Sequence, residues 1–221
     1  LINWCLIMKY DLGDLRKSYD KGYLTLSGSE KNPFIFFKKW FDEANSCPQI
    51  DEANAFTLST MGLDSYPRGR VVLLKSYNSD GFIFYTNYNS PKGNDINANP
   101  NVSMSFFWSS LERQIIIKGV ASRVDPSVSD KYFKSRPIDS RLGAIVSDQS
   151  KKILDRKILE IKLSKLKKYY TRKNPKRPKN WGGFLISPVS FEFWQGRPNR
   201  LHDRILYEKD SNNWIKSRLS P

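Results

Sequence analysis

The first regular pattern of apolar residues along the chain has a helical period. The apolar residues of this segment recur at spacings of three and four, and they are Phe34, Phe37 and Phe41. Asn32 is a candidate N-cap, and Pro33 stands where a first helical residue would. The pattern predicts a helix over residues 33–45 with these three rings facing a core.

After this helix, apolar and polar positions alternate, which is typical of half-buried strands. Val102, Met104, Phe106 and Trp108, for example, alternate with serines and Phe107. Strands are predicted at residues 54–62, 68–77, 81–87, 102–108, 114–124, 189–193, 204–209 and 213–218. The turn at residues 78–81 makes a hairpin of the strands that it joins.

Helices are predicted between the strands. Three short ones fall near residues 91–98, 127–135 and 138–146, and a long one covers 151–171, with Pro175 and Pro178 in a loop behind it. An antiparallel sheet dominated by hairpins, with inserted helices, is typical of the α+β class and favours a small barrel.

The positive charge of the chain is concentrated in one segment. The formal net charge is +15, from 37 Lys and Arg against 22 Asp and Glu. Residues 151–180 hold thirteen basic residues against two acidic ones, a local excess of eleven charges. The apolar stripe of this segment consists of Leu159, Leu163, Leu166 and Tyr170. The pattern favours an exposed lysine-rich helix, and an RNA- or membrane-surface role is the alternative.

The two cysteines and the N-terminal residues indicate the cellular compartment of the protein. Cys5 and Cys47 form no CxxC pair, which indicates reduced thiols of a cytoplasmic protein. Residues 1–7 precede Met8 without a basic segment, so no signal peptide is predicted. No apolar stretch reaches the roughly 20 residues that span a bilayer. Residues 1–15 are expected to be an N-terminal extension and residues 16–221 one domain.

Several catalytic classes lack their motifs in this sequence. His202 is the one histidine, and neither cysteine is near it in sequence, so no metal site is predicted. The sequence contains no Gly-x-Gly-x-x-Gly turn, no phosphate loop ending in Gly-Lys-Ser/Thr and no Gly-x-Ser-x-Gly elbow. Rossmann cofactor binding and serine hydrolysis are therefore disfavoured.

Two groups of residues are candidates for binding anions. Tyr132 and Arg136 are four apart and would share a helical face, and Ser140 would lie in the first turn of the next helix. They predict a phosphate pocket, unless they only decorate a surface helix. Arg200, His202 and Arg204 alternate, so on an extended strand all three would share one cationic face.

Several segments, in order, resemble the pyridoxine 5'-phosphate oxidase family. They are Leu15 to Tyr19, Arg70 to Lys75, Tyr85 to Asn87, Glu112 to Gln114, Tyr132 to Pro137, Gln149-Ser150, Trp181 to Phe184, Phe191 to Gly196, Arg200 to Arg204 and Arg218 to Pro221. The C-terminal segments are the most specific. The resemblance implies a homodimeric antiparallel split β-barrel, with inserted and flanking helices and FMN in a cleft between subunits.

The resemblance also implies roles for individual residues. The expected FMN contacts are Arg70, Val71, Val72, Leu73, Leu74, Lys75, Tyr85, Thr86, Lys92, Gln114, Gln149, Ser150, Trp194 and Arg204. The expected substrate contacts are Arg16, Tyr19, Lys75, Tyr132, Arg136, Ser140, Arg200, Leu201 and His202, with Arg200 and His202 as catalytic residues. The implied reaction is oxidation of pyridoxine or pyridoxamine 5'-phosphate to pyridoxal 5'-phosphate. It passes a hydride from C4' to flavin N5 and reoxidises the flavin with O2, giving H2O2 and, from the amine, ammonia.

Three other functions are alternatives to this one. A divergent flavoprotein on the same barrel would keep the FMN contacts but need not keep the substrate residues. A nucleic-acid-binding protein would use residues 151–180, and a purely structural module would need none of these groups.

Two features of the sequence complicate the resemblance. Pro91 stands where many relatives have a basic residue, and Arg70 and Lys75 are an odd number of positions apart, which on one regular strand places them on opposite faces.

Overall fold

The computed structural model describes residues 12–171, 173–211 and 213–221. The helices within these ranges are α1 Pro33–Asn45, α2 Pro91–Ala98, α3 Pro126–Ser135, α4 Ile138–Val146 and α5 Lys157–Tyr169. The strands are β1 Ala55–Met61, β2 Pro67–Leu73, β3 Ser76–Asn78, β4 Gly81–Asn87, β5 Asn101–Trp108, β6 Arg113–Arg123, β7 Trp181–Gln195, β8 Asp203–Asp210 and β9 Asn213–Leu219. Cys5 and residues 1–11 of the expected N-terminal extension lie outside the described residues, and Cys47 is a free thiol.

Helix α1 begins and ends as its sequence predicts. The Asn32 side chain accepts a 2.8 Å hydrogen bond from the Phe34 N–H, which satisfies one donor of the first turn. The three predicted rings face the core: Phe37 is fully buried, and Phe34 and Phe41 are partly buried and packed against it. The prediction omitted Phe36 and Trp40, which are also buried. The apolar stripe is therefore wider than predicted and includes Phe36, whose ring lies 4.4 Å from that of Phe193.

The nine described strands form one antiparallel sheet that forks at β7. Its main path runs β2-β1-β5-β6-β7-β4-β3, and β8 joins β7 with β9 beside it. The first half of β7 pairs with β4 and the second half pairs with β8, while β6 runs along its other edge. The predicted strand at 189–193 is thus the middle of a 15-residue strand. The α+β class and the antiparallel hairpins are confirmed.

The predicted strand at 68–77 is two strands. β2 ends at Leu73, and the Leu74 N–H still donates to Asn54 O at 2.8 Å. The Lys75 N–H instead donates to Ile83 O at 2.9 Å, so the chain leaves β1 and pairs with β4. Strand alternation does not continue across this break. The odd spacing of Arg70 and Lys75 therefore does not require their side chains to lie on opposite faces.

The long basic helix is shorter than predicted. α5 begins at Lys157 rather than at residue 151, and the Asp155 side chain accepts a 2.8 Å hydrogen bond from the Lys157 N–H at its start. Its stripe of Leu159, Leu163 and Leu166 is half-buried toward α4, and its lysines are exposed. The predicted amphipathic pattern is confirmed. None of the helices in the described part of the chain has the length and apolar character needed to cross a membrane.

Candidate active site

Arg70 is held beside a buried carboxylate. β2 places it opposite Leu58, and its guanidinium donates to Thr60 Oγ1 at 2.6 Å and to Leu58 O at 3.2 Å. Its Nη2 lies 3.6 Å from Oδ2 of Asp95, whose side chain is fully buried. Burial lowers the pKa of Arg70, and Asp95 partly opposes that effect. The guanidinium stays charged and its orientation is fixed.

Three polar side chains converge near this arginine at the start of α2. Nζ of Lys92 donates to Oε1 of Gln149 at 3.0 Å, and Oγ1 of Thr86 donates to the same oxygen at 3.2 Å. Burial lowers the pKa of Lys92, and the charge of Arg70 lowers it further. Arg70, Thr86, Lys92 and Gln149 are called the cationic cluster below. It joins four of the predicted FMN residues, and Ser150 follows Gln149 in a left-handed backbone conformation.

Three aromatic rings stack next to this cluster. The Tyr85 ring lies 3.8 Å from that of Tyr132, with an angle of 15° between the planes, and 5.6 Å from that of Trp181. The guanidinium of Arg136 covers Trp181 at 4.7 Å. Burial raises the pKa of both tyrosines, so their phenols stay protonated and can donate. Tyr85, Tyr132, Trp181 and Arg136 are called the aromatic stack.

Arg136 does not share a helical face with Tyr132, contrary to the prediction. α3 ends at Ser135, and Arg136 has an extended backbone because Pro137 follows it. The two side chains still meet over Trp181. Nη1 of Arg136 is buried and has no hydrogen-bond partner among the described residues, and burial lowers its pKa. Ser140 lies in the first turn of α4, as predicted.

His202 lies at the other end of β7, against Trp194. The centroids of the two rings are 4.7 Å apart, and the Tyr19 ring lies 5.8 Å from each. The Arg197 N–H donates to Nδ1 of His202 at 3.1 Å. Because Nδ1 accepts, the neutral imidazole carries its proton on Nε2. Tyr19, Trp194, Arg197 and His202 are called the histidine cluster.

The prediction that Arg200, His202 and Arg204 share one face of an extended strand is wrong. β8 begins only at Asp203, and Arg200 ends a 3₁₀ turn in which it and Asn199 have φ of 59° and 56°. Alternation does not apply to a turn with two left-handed residues. Arg200 and Leu201 are exposed, and Arg204 instead donates to Glu192 at 2.8 Å and to Ser220 O at 2.8 Å.

Three predicted FMN residues form a row across the sheet. Gln114 on β6 is the register partner of Trp194 on β7, which is the partner of Arg204 on β8. Phe107 extends the row on β5 and is 57% exposed. Register partners share a face, and this face is opposite to the core. Val71, also on an exposed position, is 68% exposed on β2.

The N-terminal segment is anchored on a residue to which the sequence assigned no role. The fully buried Glu112 carboxylate accepts hydrogen bonds from the N–H groups of Asp20 at 2.9 Å and Lys21 at 3.0 Å. This contact holds Tyr19 over His202. Glu112 has a φ of 55°, a feature without a signal in the sequence. The predicted substrate residue Arg16 is exposed, and its Nε donates to Gly13 O at 2.7 Å.

The predicted site residues thus form two groups at opposite ends of β7. Tyr85, in the first group, is the register partner of Gly183, and Trp194 of the second group is eleven residues further along β7. That is roughly 35 Å along a regular strand. No hydrogen bond, ion pair or ring contact between described residues joins the groups. Lys75 is exposed, and its ammonium has no partner in the described part of the chain.

Known proteins resemble the chain over nearly its whole length. The family described as "Pyridoxamine 5'-phosphate oxidase" matches residues 43–170, and the "Pyridoxine 5'-phosphate oxidase C-terminal dimerisation region" matches residues 181–221. A pyridoxine/pyridoxamine 5'-phosphate oxidase of Flavobacterium johnsoniae is 53% identical, covering 95% of this chain and 99% of the relative. One from Bordetella pertussis is 48% identical, with 95% and 99% covered.

Solved structures show the same fold. PhzG from Burkholderia lata, solved with tetrahydrophenazine-1-carboxylic acid, has a TM-score of 0.84 at 28% identity and covers 93% of this chain and 100% of its own. An FMN-binding protein from Nostoc punctiforme, at 16% identity, has a TM-score of 0.68 over 87% and 100%. These likenesses confirm the predicted antiparallel split β-barrel. With identities near 50% over almost all of its length, the chain belongs to the pyridoxine/pyridoxamine 5'-phosphate oxidase family.

Proposed function

We propose that this protein oxidises pyridoxine or pyridoxamine 5'-phosphate to pyridoxal 5'-phosphate, with FMN as cofactor and O2 as electron acceptor. The observation that carries the proposal is the aromatic stack with its unsatisfied Arg136 guanidinium, in a chain of this family. A buried guanidinium nitrogen without a partner is costly, and a substrate phosphate would satisfy it.

The cationic cluster has the chemistry that the FMN phosphate requires. Arg70 and Lys92 supply positive charge, and Thr86 and Gln149 supply a hydroxyl and an amide. Burial makes the charge of Lys92 costly, so a bound dianion would stabilise it. Residues 71–75, Tyr85 and Ser150 adjoin members of this cluster in the sequence, and we assign them to FMN as well.

The substrate phosphate is assigned to Lys75, Tyr132, Arg136 and Ser140. Lys75 and Arg136 have no anionic partner among the described residues, so each is available to a ligand. Tyr132 keeps its proton because burial raises its pKa, and its phenol can donate to a phosphate oxygen. Ser140 lies in the first turn of α4, where backbone N–H groups favour an anion.

The histidine cluster orients the reacting part of the substrate. His202 presents Nε2–H as a donor because Arg197 occupies Nδ1, and the exposed Arg200 adds a positive charge beside it. Tyr19 covers the cluster and excludes water. We assign Arg16 and Leu201 to the substrate at the same end of the site. The chemistry that bound FMN supplies is acceptance of a hydride from substrate C4' and return of both electrons to O2, which yields H2O2.

A homodimer would complete the site from two half-sites. The histidine cluster and the row of Gln114, Trp194 and Arg204 lie far along β7 from the cationic cluster of the same protomer. A twofold axis through the exposed sheet face would bring each group next to the partner's other group. Val71 and Phe107, both more than half exposed, would be covered by that contact.

The compartment and the domain organisation complete the proposal. We assign the enzyme to the cytoplasm, in agreement with the free thiol of Cys47. Residues 16–221 are assigned to one FMN-binding oxidase domain, and residues 1–15 to an N-terminal extension.

The first experiment is to purify the protein, record its visible spectrum and add pyridoxine 5'-phosphate in air. We expect a flavin spectrum and equal amounts of aldehyde and peroxide. Flavin without turnover would favour a divergent flavoprotein with another substrate. Absence of flavin, even after FMN is added, would contradict the proposal.

A further inference from the structure

A large basic cavity lies beside α3 and is lined by side chains outside the aromatic stack. Its volume is about 740 Å³, and it is open between α3, α4 and the loop before β7. The lining residues that bear on its chemistry are Asp130, Phe133, Lys134, Arg141, Lys176 and Arg177. We call this space the basic cavity. Its volume is within the range of about 300–1,000 Å³ that is usual for small-molecule sites.

The cations of the basic cavity exceed its anions. Asp130 is neutralised by Arg177, whose Nε donates to it at 2.7 Å while Nη1 donates to Trp181 O at 2.6 Å. The side chains of Lys134, Arg141 and Lys176 have no hydrogen bond or ion pair with any described residue. Nε of Arg141 is moreover shielded from solvent and unsatisfied. Three cations therefore surround one space without a counter-ion.

The basic cavity is separate from the proposed substrate site. Asp130, Phe133 and Lys134 lie three and four residues apart and line the cavity, whereas Tyr132 belongs to the aromatic stack. Phe133 is 1% exposed, and its ring packs on Trp181, which carries Arg136 on its face. The two spaces thus share the wall formed by α3 and are lined by different side chains.

We propose that the basic cavity binds a phosphorylated small molecule of about nucleotide size. A phosphate dianion needs several charged donors, and Lys134, Arg141 and Lys176 supply them from three different segments of the chain. The cavity is a concave space rather than an extended groove, which suits a compact molecule. An extended polyanion such as RNA would instead use the exposed lysines along α5.

Calorimetric titration of the FMN-loaded protein with inorganic pyrophosphate tests this site. We expect saturable binding that the double variant Lys134→Ala/Lys176→Ala weakens by about tenfold or more, because charged hydrogen bonds are lost. Lys162→Ala is the matched control, since Lys162 is an exposed lysine of α5 outside the cavity. It should change the affinity by less than about twofold, as a distant screened charge does.

A second set of measurements distinguishes binding in the basic cavity from binding in the substrate site. Ser140→Ala should raise the KM for pyridoxine 5'-phosphate and leave pyrophosphate binding unchanged. The double variant should weaken pyrophosphate binding and leave that KM unchanged. The binding measurement needs no turnover, so it remains interpretable if the oxidase proposal fails. No binding to the wild type, or equal losses in the double variant and Lys162→Ala, would overturn the proposal. So would loss of pyrophosphate binding in Ser140→Ala, or tighter binding of a single-stranded oligoribonucleotide that depends on Lys162.

Discussion

The Arg197 backbone N–H donates a 3.1 Å hydrogen bond to Nδ1 of His202. This bond fixes which imidazole nitrogen carries the proton in the neutral ring, and so makes Nε2 a donor. The donor is set by the backbone of the β7–β8 turn, so substitution of the Arg197 side chain would not remove it. The turn is therefore part of the proposed catalytic arrangement.

His202→Ala should lower turnover by about a hundredfold while FMN remains bound, since an oriented donor is lost on the substrate side. His202→Asn is the matched variant: its side-chain oxygen can accept from Arg197 N–H but it has no counterpart of Nε2–H. Steady-state kinetics and flavin content measure both effects. Wild-type turnover in His202→Asn would show that His202 only holds the turn, and loss of flavin with normal turnover per FMN would contradict the assignment.

Arg70→Ala should weaken FMN binding by about tenfold or more, because a charged phosphate contact is lost. Its folded state should also lose stability, since Asp95 stays buried with less counter-charge. Arg68→Ala is the control on the same strand: Arg68 is 3.7 Å from Asp95 and pairs with exposed Asp64. Fluorescence titration of the apoprotein with FMN measures the affinity. An unchanged affinity in Arg70→Ala would refute its phosphate role.

Gly196→Ala should displace Tyr19 from the histidine cluster. A Cβ at residue 196 would lie 2.8 Å from Cβ and Cγ of Tyr19, a distance that real side chains do not tolerate. We expect a higher KM for substrate with FMN retained, and faster proteolysis of the segment near Tyr19. At Gly143 in α4 an added Cβ meets nothing within 4 Å, so Gly143→Ala should instead stabilise the protein by about 0.5–1 kcal/mol. Equal kinetics in the two variants would contradict the role of Tyr19.

Asp203→Asn should destabilise the protein at pH 7 and much less in acid. Burial alone would raise the pKa of Asp203, but the Leu24 N–H and the cations Arg218 and Arg197 outweigh it, so the pKa is lowered. A depressed carboxyl pKa adds stability above the unfolded value of about 3.9, and that stability is lost as pH falls through the lower folded pKa. Urea unfolding of both proteins from pH 7 to pH 3 measures the difference. A difference that does not shrink with acid would mean that packing, not charge, stabilises this contact.

Much of the secondary structure could be predicted because it depends on neighbours in sequence. Asn32, Pro33 and the spacing of the phenylalanines define α1 locally, and the alternation ending at Trp108 defines β5. The errors occur where distant contacts decide. The break after Leu73 depends on Asn54 and Ile83, and the burial of Phe36, which the helical spacing did not single out, depends on its contact with the Phe193 ring.

The candidate site likewise has some features that the sequence predicts and others that depend on the tertiary structure. The sequence by itself determined the residue types, the family motifs and the absence of a metal or nucleotide motif, since these are properties of composition and spacing. Only the tertiary structure decided that Arg136 leaves α3, that Arg200 lies in a left-handed turn, and that buried Glu112 anchors Tyr19. These features depend on register and on packing between segments far apart in the chain, and such long-range contacts leave no periodic signal in the sequence.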